Sequence, residues 1–372
     1  MAVAGALIFV ETGLTMSLAE TVAALKVEPL WAASSGAREL FHSDLLQWLA
    51  EQEPQTFAKV FGLDPSTAYR CDRERGHLDL RLIPEGKGRA LAVENKLFSP
   101  PNEDQLQRYE VTFLNRPQMT GCRQTLLSLT DPGWPDNRYG RWSWMSYGTL
   151  GDHLVETFSE RDDFAGQFAC HWGRLCLLLD ELRSVVSIDD EDEPYRLSDE
   201  VAEHLDKRLR AFADTLRAYQ LHGRIRARLV DAENVDVAVS FTRGTALVQA
   251  FSEGPNGDLL GWQLQGRQWR LAAMVPQDRQ YGGRMCWGRD SDAGEARTLY
   301  LAEHYPDHFR FDELDAAGIE AVPAATQKAF QQFAPRFTYQ YRNVLGPTVR
   351  QLTDVAEATS RRVIRAFGEQ RS

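Results

Sequence analysis

The segment most restrictive of the fold is His77-Leu78-Asp79-Leu80-Arg81-Leu82-Ile83, the turn Pro84-Glu85-Gly86-Lys87-Gly88, and the second run Arg89-Ala90-Leu91-Ala92-Val93-Glu94-Asn95. Alternation of polar and apolar residues marks a strand with one buried face. Proline and glycine beside charged residues supply turn chemistry. This stretch therefore reads as a β-hairpin, and the pattern over 103–116 (EDQLQRYEVTFLNR) reads as a helix directly after it. Centring the turn near Gly86 sets Asp79 opposite Val93 or Glu94. Glu94 and Lys96 are two apart on one strand and point to the same face. A one-residue bulge would bring Asp79 to that face as well.

The flanking pattern is mixed α/β. Residues 37–52 place Leu40, Phe41, Leu45, Trp48 and Leu49 at helical spacing. Further strands are expected at 122–129 and 142–147, and helices at 148–159 and 164–183. The run Asp189-Asp190-Glu191-Asp192-Glu193, closed by Pro194, disfavours packed structure and reads as a solvated loop or linker, or as a strand-mimicking acidic segment that guards a basic groove. Beyond it, 198–230 reads as one long helix opened by Ser198. Strands follow at 235–241, 244–251, 259–265 and 268–275, then helices at 297–304, 324–334 and 347–367. The expected division is an N-terminal extension (1–35), an α/β core (36–188), an acidic linker (189–197) and an α+β C-terminal domain (198–372).

The formal net charge of −11 argues against a protein that coats nucleic acid non-specifically, because phosphate contacts need clustered Lys and Arg. The charge is uneven. Residues 1–204 hold 19 basic and 33 acidic side chains, and residues 205–372 hold 23 and 20. Within the second half, 205–230 has seven basic and two acidic residues, and 321–372 has eight and three. Each stretch is read as a solvated helix face or as a contact surface for a nucleic-acid backbone. Five scattered cysteines without a CxxC pair fit reduced thiols in a cytoplasmic protein, not a disulfide framework or a zinc site. The N-terminal apolar run lacks a preceding basic residue and soon meets Glu11, so neither a secretory signal nor a membrane segment is expected.

Convergence of Asp79, Glu94 and Lys96 would have a chemical use. Two carboxylates with neighbouring carbonyl oxygens suit a hard divalent ion such as Mg²⁺. A bound metal polarises a phosphate oxygen and lowers the pKa of a coordinated water. A nearby lysine can orient or deprotonate that water and offset charge developing at phosphorus. Ala92 and Val93 give Glu94 a buried setting, in which a carboxylate needs a partner. Gln105 and Tyr109 lie i, i+4 on one helix face just after this strand.

These residues, in this order, resemble the PD-(D/E)XK nuclease superfamily. More narrowly, they resemble its bacterial branch, with a glutamate in an N-terminal helix (Arg38-Glu39-Leu40-Phe41-His42-Ser43), an aspartate in the first hairpin strand (Asp79), an E-N-K motif (Glu94, Asn95, Lys96) and a RecB-like QxxxY (Gln105 to Tyr109). The resemblance covers about residues 36–183. It implies a restriction-endonuclease-like core, a mixed central sheet flanked by helices in αβββαβ order, followed by the α+β C-terminal region. It implies that Asp79, Glu94 and the Asn95 backbone carbonyl bind Mg²⁺ or Mn²⁺, with Glu39 as a further ligand or as a holder of metal-bound water. Lys96 would position or activate water, and Gln105 and Tyr109 would contact phosphate or brace Lys96. His42 would sit in the core or behind the site, or contact substrate directly; His77 is read as an exposed residue at a strand start. The implied activity is metal-dependent hydrolysis of nucleic acid, DNA above all, in anti-phage defence or genome maintenance.

The alternative reading keeps the fold without turnover, as a nucleic-acid-binding or ligand-gated regulatory protein. The C-terminal region is then a place for substrate grip, regulation or homo-oligomerisation. Trp134, Trp142, Trp144, Tyr139 and Tyr147 beside Arg138 and Arg141 read as core with a snorkelling rim, or as a base-stacking surface.

Overall fold

A computed structural model describes residues 16–33, 39–73, 78–98, 103–131, 135–323, 331–334 and 337–369. Expectations for the N-terminal apolar run, Arg38, His77, Trp134 and residues 324–330 fall outside these. The chain is mixed α/β and divides into two compact units. One comprises Met1–Val186 with Glu203–Leu205, and the other Ser187–Ala202 with Asp206–Ser372.

The first unit begins with α1 (Leu18–Val27) and α2 (Pro29–Ala33). Ser17 caps α1 in a reciprocal box with Glu20, which satisfies two otherwise orphan donors. Val22, Leu25 and Trp31 are buried. Residues 18–33 are thus an integral part of this unit, because their apolar face needs cover, and not an appended extension. Then come α3 (Glu39–Gln52), α4 (Pro54–Val60), β1 (Tyr69–Arg73), β2 (Leu80–Pro84), β3 (Leu91–Lys96) and α5 (Glu103–Tyr109), continued by a wide π turn at Glu110–Leu114. The unit closes with β4 (Arg123–Ser128), β5 (Arg138–Tyr139), β6 (Trp142–Ser146), α6 (Tyr147–Phe158) and α7 (Phe164–Val186).

Among the described residues these strands form one sheet in the order β1-β2-β3-β4-β6-β5. β1, β2 and β3 are an antiparallel meander, and β3, β4 and β6 run parallel. The expected hairpin forms with Leu80 opposite Val93. β2 and β3 are almost wholly buried, so their apolar residues need cover on both faces. α6 and α7 pack at close range because Gly151 and Gly173 face each other. A Cβ at Gly151 would lie 2.7 Å from the Gly173 carbonyl oxygen.

The second unit carries α8 (Asp199–His204), α9 (Lys207–Arg228), β7 (Val235–Thr242), β8 (Thr245–Glu253), β9 (Leu259–Gln265), β10 (Gln268–Met274), β11 (Gln280–Tyr281), β12 (Arg284–Met285), α10 (Ser291–His304), α11 (Asp312–Ala316), β13 (Ala321–Pro323), β14 (Gln331–Ala334), β15 (Phe337–Val344) and α12 (Val349–Glu369). Its main sheet is antiparallel in the order β13-β15-β10-β9-β8-β7, with β14 also paired to β15. The expected meander over 235–275 is present. α9 and α12 cover one face over stacked Trp262 and Trp269, whose ring centroids are 4.8 Å apart.

Three expectations change. The helix over 198–230 is broken, because the Asp206 side chain accepts from the amides of Arg208 and Leu209 and starts α9 afresh. Residues 331–334 form β14 rather than the end of a helix, since β15 offers them a strand edge. The acidic run is not a free linker. Arg350 pairs with Glu191 at 3.1 Å and Asp192 at 2.7 Å, and Arg224 and Arg228 also approach Glu191. The amides of Val349 and Arg350 donate to the carbonyls of Glu193 and Glu191.

Buried Arg217 completes this docking by donating to the carbonyls of Tyr195, Ser187 and Pro194. Arg217→Met leaves three carbonyls without a charged donor. A loss of about 3 kcal/mol in the stability of the second unit is expected, since each uncompensated buried acceptor costs roughly 1–3 kcal/mol. Urea unfolding of the variant measures it, with Arg226→Met as a surface control that shifts little. The same geometry revises the reading of 205–230 as a grip for nucleic acid. Arg217, Arg224 and Arg228 are engaged within their own unit, as are Arg350, Arg361 and Arg362 of the C-terminal stretch.

Candidate functional site

The site lies at the carboxyl end of β3. Extended backbone alternates side chains, so Glu94 and Lys96 share a face and Asn95 takes the other. The Lys96 ammonium sits 3.1 Å from Glu94 Oε1 and 3.2 Å from Glu39 Oε1. Glu39 occupies the first turn of α3, and its Oε2 accepts from the Leu97 amide at 3.3 Å. Asp79 lies just before β2. Its Oδ2 accepts from the Asn95 amide at 2.7 Å, and its Oδ1 from the Ser43 hydroxyl at 3.3 Å. Residues 39, 79, 94 and 96 are thus gathered from α3, the approach to β2, and β3.

Glu94 is the most constrained of them. It is 2% exposed. Its Oε1 accepts from Gln105 Nε2 at 3.0 Å and from the Tyr109 hydroxyl at 3.5 Å. Gln105 also donates to the Tyr109 hydroxyl. The QxxxY pair therefore braces Glu94 rather than Lys96. Among the described residues, Glu94 Oε2 is buried with no hydrogen-bond partner. Burial pushes the Glu94 carboxyl up to about 8; Lys96 opposes the rise, and Asp79 and Glu39 add to it. For Lys96, burial favours the neutral amine, but the carboxylates of Glu94 and Glu39 outweigh it and hold the ammonium above its ordinary range. Lys96 is therefore held as an ammonium between these two carboxylates.

Behind these residues lies a network that motif reading missed. The Tyr147 hydroxyl donates to Asn95 Oδ1 at 2.6 Å. Asn95 Nδ2 donates to Ser43 Oγ and to the Glu39 carbonyl, each at 3.0 Å. Buried Trp172 donates to His42 Nδ1 at 3.2 Å, and the His42 ring meets Tyr147 edge-on at 4.9 Å. His42 is thus in the core behind the site, as expected. Asn95 ties α3, β3 and α6 together, and its backbone amide fixes Asp79. In an extended strand one residue's N–H and C=O point to the same edge, which leaves the Asn95 carbonyl on the Asp79 side. Tyr147 and Trp142 are both fully buried, which takes them out of any base-stacking surface.

Tyr147→Phe leaves Asn95 Oδ1 unsatisfied in the interior, at roughly 1–3 kcal/mol. The expected result is a folded protein whose stability falls by about that amount, and equilibrium urea unfolding checks it.

Among the described residues, no group of three or more His, Cys, Asp or Glu side chains is arranged to hold a metal ion. Glu39 is turned onto Lys96 and the Leu97 amide. The chemistry of the remaining donors still suits a hard cation: two carboxylates, a carbonyl on the same edge, and one buried carboxylate oxygen without a hydrogen bond. No helix among the described residues is long and apolar enough to cross a membrane. No family model, curated protein or solved structure matches this chain.

Proposed function

We propose that this chain is a metal-dependent nuclease that hydrolyses phosphodiester bonds in DNA on a restriction-endonuclease-like core. One observation carries the reading: Glu94 is buried beside Lys96 with Oε2 unpartnered, on a strand that also draws in Asp79 and Glu39. The order of elements supports it. Helix, three antiparallel strands, helix and a parallel fourth strand follow in sequence, with the charged cluster at the end of the third strand.

In this reading Asp79, Glu94 and the Asn95 carbonyl hold Mg²⁺ or Mn²⁺. A divalent ion held there would supply polarisation of a phosphate oxygen and a more acidic attacking water. Lys96, kept charged by Glu94 and Glu39, orients that water and offsets negative charge growing at phosphorus. Gln105 and Tyr109 hold the Glu94 carboxylate against its preference for the neutral form. Glu39 aims Lys96. A role in anti-phage defence or genome maintenance rests on the family likeness alone.

The test is incubation of the purified chain with supercoiled plasmid, single-stranded DNA and RNA, with Mg²⁺ or Mn²⁺ and with EDTA. Metal-dependent nicking of DNA, abolished by EDTA, is the expected result. If no nucleic acid is cut in any metal, the reading fails. Binding that survives Asp79→Asn with Glu94→Gln, without cleavage, would favour the non-catalytic alternative.

A further inference from the structure

The sheet of the second unit has one face under α9 and α12 and another with a hollow in it. On this second face the register sets Asp236 beside Phe251, Phe251 beside Gly261 and Ala272 beside Tyr339. The two smallest residues fall mid-row, on the adjacent strands β9 and β10. A Cβ at Gly261 would lie 2.8 Å from the Phe251 ring, so the ring leans over bare backbone. Glu253, Leu259, Met274 and Phe337 form the neighbouring row. The Phe251 and Phe337 rings stand 6.3 Å apart at 63°.

Beside Phe251 and Phe337 this face holds a cavity of about 660 Å³, within the size range of small-molecule sites. Its lining combines these rings with the carboxylates of Asp236 and Glu253 and the amides of Gln249 and Gln263. Among the described residues that line it there is no lysine or arginine. The nearest row holds Arg270, whose guanidinium stacks over Tyr339 and bonds Gln265 and Gln268. The two glutamines at the wall bond each other through Gln263 Nε2 and Gln249 Oε1 at 2.9 Å, and Gln249 Nε2 and Gln263 Oε1 take no part in that bond.

We propose that this hollow binds a small organic cation, an ammonium or guanidinium group on an apolar body. Aromatic faces attract cations through the ring quadrupole, and two carboxylates add charge of the matching sign. The same carboxylates repel a phosphate backbone, so this face is not a second track for nucleic acid. Asp236 and Glu253 are both exposed, so neutralising them leaves the fold intact.

Titration calorimetry of the full-length chain with phenethylammonium and with phenylacetate compares one ring carrying opposite charges. The cation is expected to bind one per chain, and the anion to give no heat. Asp236→Asn combined with Glu253→Gln should weaken the cation at least about tenfold with an unchanged Tm. Equal binding of both probes, no binding of the cation, or full affinity in the double variant would overturn the proposal. A basic peptide that binds where phenethylammonium does not would overturn the small-molecule assignment.

Discussion

Lys96→Met is expected to lower the initial rate of plasmid nicking at saturating Mg²⁺ by at least about a hundredfold. A positioned donor aimed at developing charge is worth about 10²–10³ in rate. Lys96 touches both Glu94 and Glu39, so its loss also removes the group that orients the site's charge. The variant should stay folded. Removing one partner of a buried ion pair costs about 3–5 kcal/mol when the survivor must remain charged. Glu94 escapes most of that penalty by taking a proton, a form its burial already favours. The deficit in Tm should therefore be small at pH 5 and larger at pH 8. A nicking rate within threefold of wild type would remove Lys96 from the chemistry and leave it as a structural counter-ion.

The residues of this site were legible in the sequence to different degrees, for physical reasons. Glu94 and Lys96 could be read because a strand has a side-chain period of two, so their placement on one face needs no tertiary information. Asp79 could be placed near them because a short turn fixes hairpin register. Tyr147 could not be found that way. It touches Asn95 because β3, β4 and β6 run parallel in register, with Lys96, Ser128 and Ser146 at one level. Side chains just beyond the ends of these strands then meet, although their sequence positions are far apart. The usable signal was the helix start immediately after a strand, at Ser146-Tyr147, where parallel sheets gather functional groups. Glu39 was placed near the site, but its engagement with Lys96 and the Leu97 amide is a tertiary outcome.

The acidic run shows the opposite failure. Five like charges in sequence signal repulsion and solvation. The arginines that neutralise them lie on α9 and α12, with Arg350 158 residues from Asp192. Charge patterning along the chain does not register such partners. The same arginines had suggested a free basic surface, so one missed pairing distorted two readings.

Glu94→Gln is expected to reduce metal-dependent nicking by about 10³-fold while making the metal-free protein more stable at pH 8. The sign follows from the raised carboxyl. Burial first, with help from Asp79 and Glu39, lifts Glu94 from 4.5 in the unfolded chain to about 8 in the fold. The folded state thus holds this proton more tightly than the unfolded state does. Its contribution to stability is fully present below about pH 4.5 and is lost as pH rises through about 8. Glutamine does not titrate, so the variant's advantage in Tm should be near zero at pH 4, grow from pH 5 upward and reach its full size above pH 8. Differential scanning calorimetry across this range, in EDTA, measures it; an advantage independent of pH would show that Glu94 is not the group responsible. Adding Mn²⁺ should raise the wild-type Tm more at pH 8 than at pH 5, because ligation stabilises the ionised carboxylate and binding to the folded state adds stability by mass action. The same addition should leave Glu94→Gln almost unmoved. A carboxylate that destabilises the bare fold and is relieved by a cation is what a metal-binding role requires, and a purely structural Glu94 would show no such dependence on Mn²⁺.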